Sequence, residues 1–170
     1  MTRFVALLRA VNVGGTGKLP MGDLKTLCEK AGFAEVRTYI ASGNVVFDSA
    51  LAESEVKRAL ESALEAYAGK PVGVLVRTGP ELAQVLAANP FPEGEANRVM
   101  AIFLDSPPPK DALEKAVGQA ADEKTALGVR EIYVWYGQGM AHTKLRLPAA
   151  KTGTARNLNT VARLAEMSGG

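Results

Sequence analysis

The feature that most constrains the fold of this 170-residue chain is the order of its apolar patterns. Along residues 4–88 they predict strand, helix, strand, strand, helix and strand, followed by one more helix. The stretch NPFPEGEAN at residues 89–97 is typical of a linker, and beyond it the order strand, helix, strand, strand, helix is predicted again. We therefore expect an α+β protein of two tandem ferredoxin-like subdomains, at residues 1–92 and 97–170, related by an internal duplication.

Individual elements follow from the spacing of apolar residues, which is two in strands and three or four in helices. In the first half the sequence predicts strands at residues 4–8, 36–41, 45–47 and 72–76, and helices at 20–32, 56–67 and 80–88. In the second half it predicts strands at residues 99–104, 125–129 and 132–136, and helices at 107–121 and 157–167. The second half has no obvious last strand, so the two halves match in order only up to that point.

Composition limits the classes of protein and of site that are possible. Hydrophobic residues make up 47% of the chain and charged residues 22%, with a net charge of +2, which is typical of a globular protein and favours no particular partner. Cys28 is the only cysteine and His142 the only histidine, which excludes an internal disulfide and a conventional zinc site. Cys28 falls on the apolar face of a predicted helix, so we expect a buried, inert thiol.

No membrane span and no complete catalytic motif is found in the sequence. No stretch approaches the ~20 apolar residues of a spanning helix, and the N-terminus lacks a signal-peptide cleavage pattern, so we expect a cytoplasmic protein. A Ser-His-Asp triad would have to use His142, and no Gly-x-Ser-x-Gly elbow accompanies it. The sequence identifies neither a cofactor nor a reaction.

A glycine-rich loop joins the first predicted strand to the first predicted helix, in the stretch LLRAVNVGGTGKLPMGDL at residues 7–24. It is not a Walker A motif, because Asn12 and Leu19 stand where that motif needs glycine and a hydroxyl residue. It is not a dinucleotide fingerprint, because Pro20 replaces the third glycine. A helix N-terminus beside a lysine nevertheless favours an anion. The alternatives are a flexible turn and an anion site formed by Gly14, Gly15, Gly17 and Lys18.

Three other groups of residues are candidates for binding. Residues 142–165 contain no acidic residue, and an anion site there would use Lys144, Arg156, Asn157 and Asn159, whereas Asn157 alone is also a typical helix cap. Ser42 and Asn44 present polar groups at a predicted hairpin turn, and Arg9 ends the first strand; turn chemistry and a carboxylate partner are the alternatives. Tyr133 and Trp135 share one strand face, where they could stack on bases or be covered by helices.

The sequence resembles the family called domain of unknown function 1697. The resemblance rests on residues 7–47, LLRAVNVGGTGKLPMGDLKTLCEKAGFAEVRTYIASGNVVF, and on two C-terminal motifs, HTKL at 142–145 and TARNLNTVARLAEM at 154–167. It departs from the family pattern at four positions, Ala10, Ala41, Thr143 and Leu158. The resemblance implies two ferredoxin-like subdomains and implies no activity, because the function of that family is not established.

Three functional hypotheses follow. In the first, the chain binds a small anionic ligand, phosphorylated or nucleotide-like, through Lys18 and the loop amides, with Arg156 as a second charge and Asn12, Asn44 and Asn159 orienting the ligand. In the second, the basic segment 142–163 tracks the phosphates of a nucleic acid. In the third, the chain is a protein-interaction domain that uses an exposed sheet edge for self-pairing. The sequence does not predict the oligomeric state.

Overall fold

The computed structural model describes residues 1–9, 18–40, 42–137 and 143–169. The chain forms two compact units, which we call the first unit (Met1–Leu82 with Leu164–Gly170) and the second unit (Ala83–Arg163). The subdomain boundaries derived from the sequence stay predictions. None of the helices in the described residues is long and apolar enough to cross a membrane.

The first unit contains a four-stranded antiparallel sheet in the order β2-β3-β1-β4. Its strands are β1 (Thr2–Leu8), β2 (Ala34–Tyr39), β3 (Asn44–Ser49) and β4 (Val74–Thr78). Two helices separate them along the chain, α1 (Met21–Lys30) after β1 and α2 (Glu53–Ala68) after β3. The predicted order of elements is therefore confirmed for this unit, with boundaries that differ by a few residues.

The core of the first unit lies between one face of this sheet and the apolar stripes of its two helices. Alternate residues of β1 point into it, as the period of two in a strand requires. Its helical contribution comes from residues three or four apart, namely Leu24 and Cys28 in α1 and Val56, Leu60 and Leu64 in α2. The rings of Phe33 and Phe47 stack in this core with their centroids 4.3 Å apart.

The second unit contains another four-stranded antiparallel sheet, in the order β6-β7-β5-β8. Its strands are β5 (Val99–Phe103), β6 (Lys124–Leu127), β7 (Glu131–Trp135) and β8 (Thr154–Asn157). Helix α3 (Gly79–Ala87) follows β4, and helix α4 (Leu158–Met167) follows β8. The protein is thus a mixed α+β structure with two antiparallel sheets.

The helix predicted at residues 107–121 is wrong. This segment forms successive turns, in which Ala112, Glu114 and Ala116 donate their amides to residues three positions earlier. A helix cannot run through this segment because the amide and carbonyl of Val117 pair instead with those of Arg146, at 2.9 and 2.8 Å. Apolar spacing alone does not reveal this competition, since the partner is distant in sequence.

Strand β8 was not predicted by the sequence pattern. Its four residues, Thr154–Asn157, contain no apolar residue larger than alanine, and the predicted helix at 157–167 obscured it. The strand exists because it pairs antiparallel with β5, with Ala101 opposite Arg156. Tertiary pairing therefore overrides weak local preference here.

Candidate functional site

The candidate site of the first unit lies where β1 ends. The amide of Leu8 donates to the carbonyl oxygen of Gly43 at 2.9 Å, and the amide of Arg9 donates to that of Gly73 at 2.9 Å. These two bonds place Arg9 between the 42–44 turn and the residues that lead into β4. Three predicted site residues, Arg9, Ser42 and Asn44, therefore meet at one end of the first sheet.

Arg9 has a defined position because its aliphatic stem lies on a glycine. A Cβ built on Gly73 would be 2.9 Å from Cδ of Arg9 and 3.6 Å from its Nη1. Any side chain at residue 73 would push the arginine away, so glycine is needed for this close approach. The side chain is half-buried, which limits the directions that the guanidinium can take.

Asn44 holds the adjacent turn together. Its side chain is fully buried, and its Nδ2 donates to the carbonyl oxygen of Tyr39 and to Oγ of Ser42, both at 2.9 Å. Both amide hydrogens are thereby used inside the turn. These bonds favour the turn-chemistry interpretation of Ser42 and Asn44 over direct ligand contact.

Lys18 precedes the open first turn of α1. The lysine is exposed, whereas Leu19 next to it is buried in the core of the first unit and fixes the start of the helix. Pro20 caps α1 without a side-chain hydrogen bond, and a Cβ on Gly22 would meet nothing within 4 Å. The predicted residues Asn12, Gly14, Gly15 and Gly17 lie outside the described residues, between Arg9 and Lys18.

An acidic residue already occupies the first turn of α1. Asp23 accepts a hydrogen bond from the hydroxyl of Tyr67 at 2.6 Å, which raises the pKa of Tyr67. Tyr67, near the end of α2, is 44% exposed, and its hydroxyl reaches this carboxylate. The carboxylate of Asp23 lies at the positive, N-terminal end of the helix dipole, where it competes with any external anion.

In the second unit, Arg156 is a buried residue of β8, a strand that the sequence pattern did not predict. Its Nη1 donates to Oγ1 of Thr154 at 2.8 Å and to the carbonyl oxygen of Ala155 at 3.0 Å. Burial lowers the pKa of this guanidinium to about 10. Both bonds are made to its own strand, so a structural role for Arg156 has direct support.

The remaining predicted residues of the second unit have different surroundings. Asn157 ends β8, and its Oδ1 accepts a hydrogen bond from the amide of Thr160 at 2.9 Å, which is a typical helix cap. Asn159 and Lys144 are exposed. The structure brings Arg156 and Asn157 together on one strand.

Sequence reasoning missed Glu123, a buried acidic residue of the second unit. One carboxylate oxygen of Glu123 accepts from the amide of Ala120 at 2.8 Å, and the other accepts from the hydroxyl of Thr143. This pair anchors the segment that begins with Thr143 to the preceding turn. Nothing in the sequence distinguishes Glu123 from its charged neighbours. His142 lies outside the described residues.

Of the aromatic residues of β7, Tyr133 is buried and Trp135 is partly covered. Tyr133 is buried, and its hydroxyl donates to the carbonyl oxygen of Val85 at 2.7 Å. The Trp135 ring lies 5.8 Å from that of Phe91, and Nζ of Lys124 sits 5.3 Å from the Trp135 centroid. These contacts favour the interpretation in which the rings pack against the protein, because base stacking needs an accessible ring face.

A cavity of about 360 Å³ in the first unit contains none of the predicted site residues; it is lined by Arg58, Glu61, Ser62, Glu65, Pro71 and Val72. Among the described residues, no three histidine, cysteine, aspartate or glutamate side chains are grouped to hold a metal ion.

Comparisons with known proteins give a family and a fold. The family model described as "Protein of unknown function (DUF1697)" matches residues 1–133. The solved structure of a conserved bacterial protein from Streptococcus pneumoniae is similar, with a TM-score of 0.81, 23% sequence identity and 98% of each chain covered. At that identity the likeness shows the fold alone. No functionally curated protein matches the sequence.

Proposed function

Because the chain belongs to DUF1697, a family of proteins of unknown function, we propose its function from its own site: it binds a small anionic ligand, phosphorylated or nucleotide-like, where β1 ends. Arg9 and Lys18, at the two ends of the glycine loop, are the proposed cationic groups. The proposal concerns binding and includes no catalytic step. It rests on the first unit and does not require Arg156.

The single observation that carries this proposal is the placement of Arg9 on Gly73. A guanidinium offers several donors in a rigid plane and suits a carboxylate or phosphate held in two-point contact. The missing Cβ at residue 73 lets the stem of Arg9 lie flat against the backbone, which reduces the conformational entropy lost when an anion binds.

The start of α1 supplies the second element. Helix N-termini attract anions through free amides and the helix dipole, and Lys18 stands just before this one. The first turn is open at Gly22, so a ligand can approach the backbone. The negative charge of Asp23 weakens this attraction. We therefore expect modest affinity for simple anions and tighter binding of a ligand that makes further specific contacts.

A thermal-shift panel tests the proposal. Inorganic phosphate, nucleotides, sugar phosphates and short RNA would each be added at low and high salt to the wild type and to Arg9→Ala, Arg9→Lys and Lys18→Ala. Lys25→Ala is the matched control, since Lys25 is an exposed lysine of the same helix. A ligand at ~100 times its dissociation constant stabilises by about 2.7 kcal/mol.

We expect one class of small anion to stabilise the wild type and the control but neither Arg9→Ala nor Lys18→Ala. Arg9→Lys should recover only part of the shift, because it restores charge without the forked donors. Stabilisation by RNA alone, abolished by salt, would favour the nucleic-acid hypothesis instead. A flat panel would contradict binding at this site and leave the loop as a turn.

We also propose that the two units are tandem ferredoxin-like subdomains derived from one ancestor. The four strands of each sheet lie in the same spatial order: second, third, first and fourth along the chain. The last strands also share details: Arg77 and Arg156 each donate from Nη1 to the preceding carbonyl oxygen at 3.0 Å. The next residues, Thr78 and Asn157, each accept from the amide three positions later.

A further inference from the structure

Two edge strands, β4 of the first sheet and β6 of the second, differ in how their outer edges are closed. Because Arg9 bonds to Gly73, alternate residues of β4, beginning with Val74, point their backbone groups away from β1. The amide of Val74 donates to Oε2 of Glu61 at 3.1 Å, and its carbonyl oxygen accepts from Nζ of Lys57. Charged side chains of α2 thus close this edge to another strand.

Further along β4 the same protection continues. The carbonyl oxygen of Val76 accepts from Nη1 of Arg77 at 3.0 Å, and the amide of Thr78 donates to Oε1 of Glu81 at 2.9 Å. Strand β4 is therefore unavailable for pairing along its outer edge.

Strand β6, an edge of the second sheet, lacks such protection. The amide of Gly128 donates to the carbonyl oxygen of Glu131 at 2.7 Å, so Gly128, Ala126 and Lys124 face β7 while Thr125 and Leu127 face outward. Within the described part of the chain, no hydrogen bond is formed by the outward backbone groups of Thr125 or Leu127.

The side chains of β6 do not obstruct this edge either. An edge lysine commonly discourages strand addition, but the ammonium of Lys124 is held over the Trp135 ring of the neighbouring strand. Two apolar side chains near the edge are exposed, Leu127 at 39% and Val129 at 72%. An unpaired edge with exposed apolar residues is a template for strand pairing.

We propose that β6 pairs with β6 of a second copy of this chain, antiparallel and about a two-fold axis at Ala126. In that register Thr125 of one copy lies opposite Leu127 of the other. The outward amides and carbonyl oxygens of these residues can then hydrogen-bond between the two copies. Lys124 lies opposite Gly128 of the second copy, which avoids opposed like charges. The second copy is the favoured occupant because the edge is complementary to itself in this register.

The expected dimer is weak. Each copy contributes a strand of four residues, Lys124–Leu127, and such an interface falls at the small end of specific interfaces. The dimer should therefore form reversibly and only at high protein concentration. This inference concerns the second unit and stands independently of the proposed anion site.

Analytical ultracentrifugation of the full chain over a wide concentration range tests the proposal. The 17.9 kDa chain should approach twice that mass as concentration rises. Thr125→Pro removes an outward amide, a position where edge strands tolerate proline, and should weaken the dimer by ~30-fold or more through two lost hydrogen bonds. Thr125→Val retains the amide and is the matched control, with unchanged association. Far-ultraviolet circular dichroism establishes that both variants are folded.

Cysteine cross-linking provides a second, independent measurement. Ala126→Cys places two thiols directly opposite each other, within disulfide range, and should give a covalent dimer under mild oxidation. Leu127→Cys is the control, because its two copies would lie about 8 Å apart across the axis. Cys28 does not interfere, since it is buried. A wild type that stays monomeric at all concentrations, a Thr125→Pro variant that still dimerises, or equal cross-linking of both cysteine variants would overturn the proposal.

Discussion

Gly69 and Gly118 share a left-handed φ of 74° but differ in what lies beside them. A Cβ on Gly69 would meet nothing within 4 Å, whereas a Cβ on Gly118 would collide with the carbonyl group of Lys144. The first glycine ends α2, and the second lies next to the bridge between Val117 and Arg146. A comparison of the same substitution at these two glycines therefore distinguishes the cost of backbone strain from the cost of steric collision.

Gly69→Ala should lower the free energy of unfolding by about 1–2 kcal/mol, which is the cost of the left-handed conformation. Gly118→Ala should lower it by a further ~1–3 kcal/mol, because the Lys144 backbone must move. Urea denaturation of both variants measures the difference. If both variants lose the same free energy of unfolding, the 117–118 segment can move away from Lys144 without an energetic cost.

The two buried arginines of the last strands should contribute similarly to stability. Arg77→Met and Arg156→Met each remove a donor from a carbonyl oxygen of an edge strand, and we expect each to lower the free energy of unfolding by about 1–3 kcal/mol. Lys144→Met, at an exposed lysine, should stay within ~0.5 kcal/mol of the wild type. Urea titration distinguishes these outcomes, and a loss at only one arginine would argue against equivalent roles.

Tyr133 makes stability depend on pH in the alkaline range. Burial, and secondarily the charge of Glu131, raises the pKa of Tyr133 to about 12, compared with about 10 in an unfolded chain. The folded state keeps the phenol protonated to higher pH than the unfolded chain does. The contribution of Tyr133 to stability is therefore complete below pH ~10 and is lost as pH rises toward about 12. Stability curves of wild type and Tyr133→Phe should converge over that range.

At neutral pH, Tyr133→Phe should cost about 1–3 kcal/mol, because the carbonyl oxygen of Val85 loses its partner. Tyr67 and Tyr136 also have raised pKa values and will leave some alkaline slope in the variant. A variant whose stability falls with pH as steeply as that of the wild type would contradict this role for Tyr133.

Cys28 should report global unfolding. Its side chain is fully buried, and burial raises the pKa of the thiol to about 12, so little thiolate exists at neutral pH and none is accessible. Labelling by a chromogenic disulfide reagent should be slow in native buffer and rapid in urea. Prompt stoichiometric labelling of the folded protein would show that α1 opens locally.

Asp23→Asn should strengthen binding of the anion identified in the ligand panel. The carboxylate competes for the N-terminus of α1, and its neutralisation is worth about 0.3–1 kcal/mol, or roughly 2–5-fold in affinity. Titration calorimetry measures this change. Unchanged affinity would indicate that the anion binds away from the helix start, and Lys25→Ala serves again as the control for an exposed charge of the same helix.

Several parts of the fold were predictable from sequence for physical reasons. The first unit follows its apolar periodicity closely, since Val56, Leu60 and Leu64 define the buried stripe of α2 without help from distant contacts. The burial of Cys28 followed in the same way from its place on α1.

What sequence reasoning missed depends on contacts between distant segments. Val117 leaves a helical pattern because Arg146 offers it two backbone hydrogen bonds. Arg156 joins a strand because β5 supplies a partner, although its own neighbours carry little apolar character. The position of Arg9 likewise depends on Gly73, which is remote in sequence. The local sequence pattern around each residue does not predict these long-range contacts.

The return of residues Leu164–Gly170 to the first unit affects the order in which the protein can mature during synthesis. A ribosome makes residues 1–82 early, yet Arg37 bonds to the carbonyl of Met167, and Gly79 lies so close to Ser168 that a Cβ would come within 2.6 Å of its Oγ. These two contacts of the first unit can form only after residues 167 and 168 have been translated. The contacts that join the C-terminal residues to the first unit are therefore late events in synthesis.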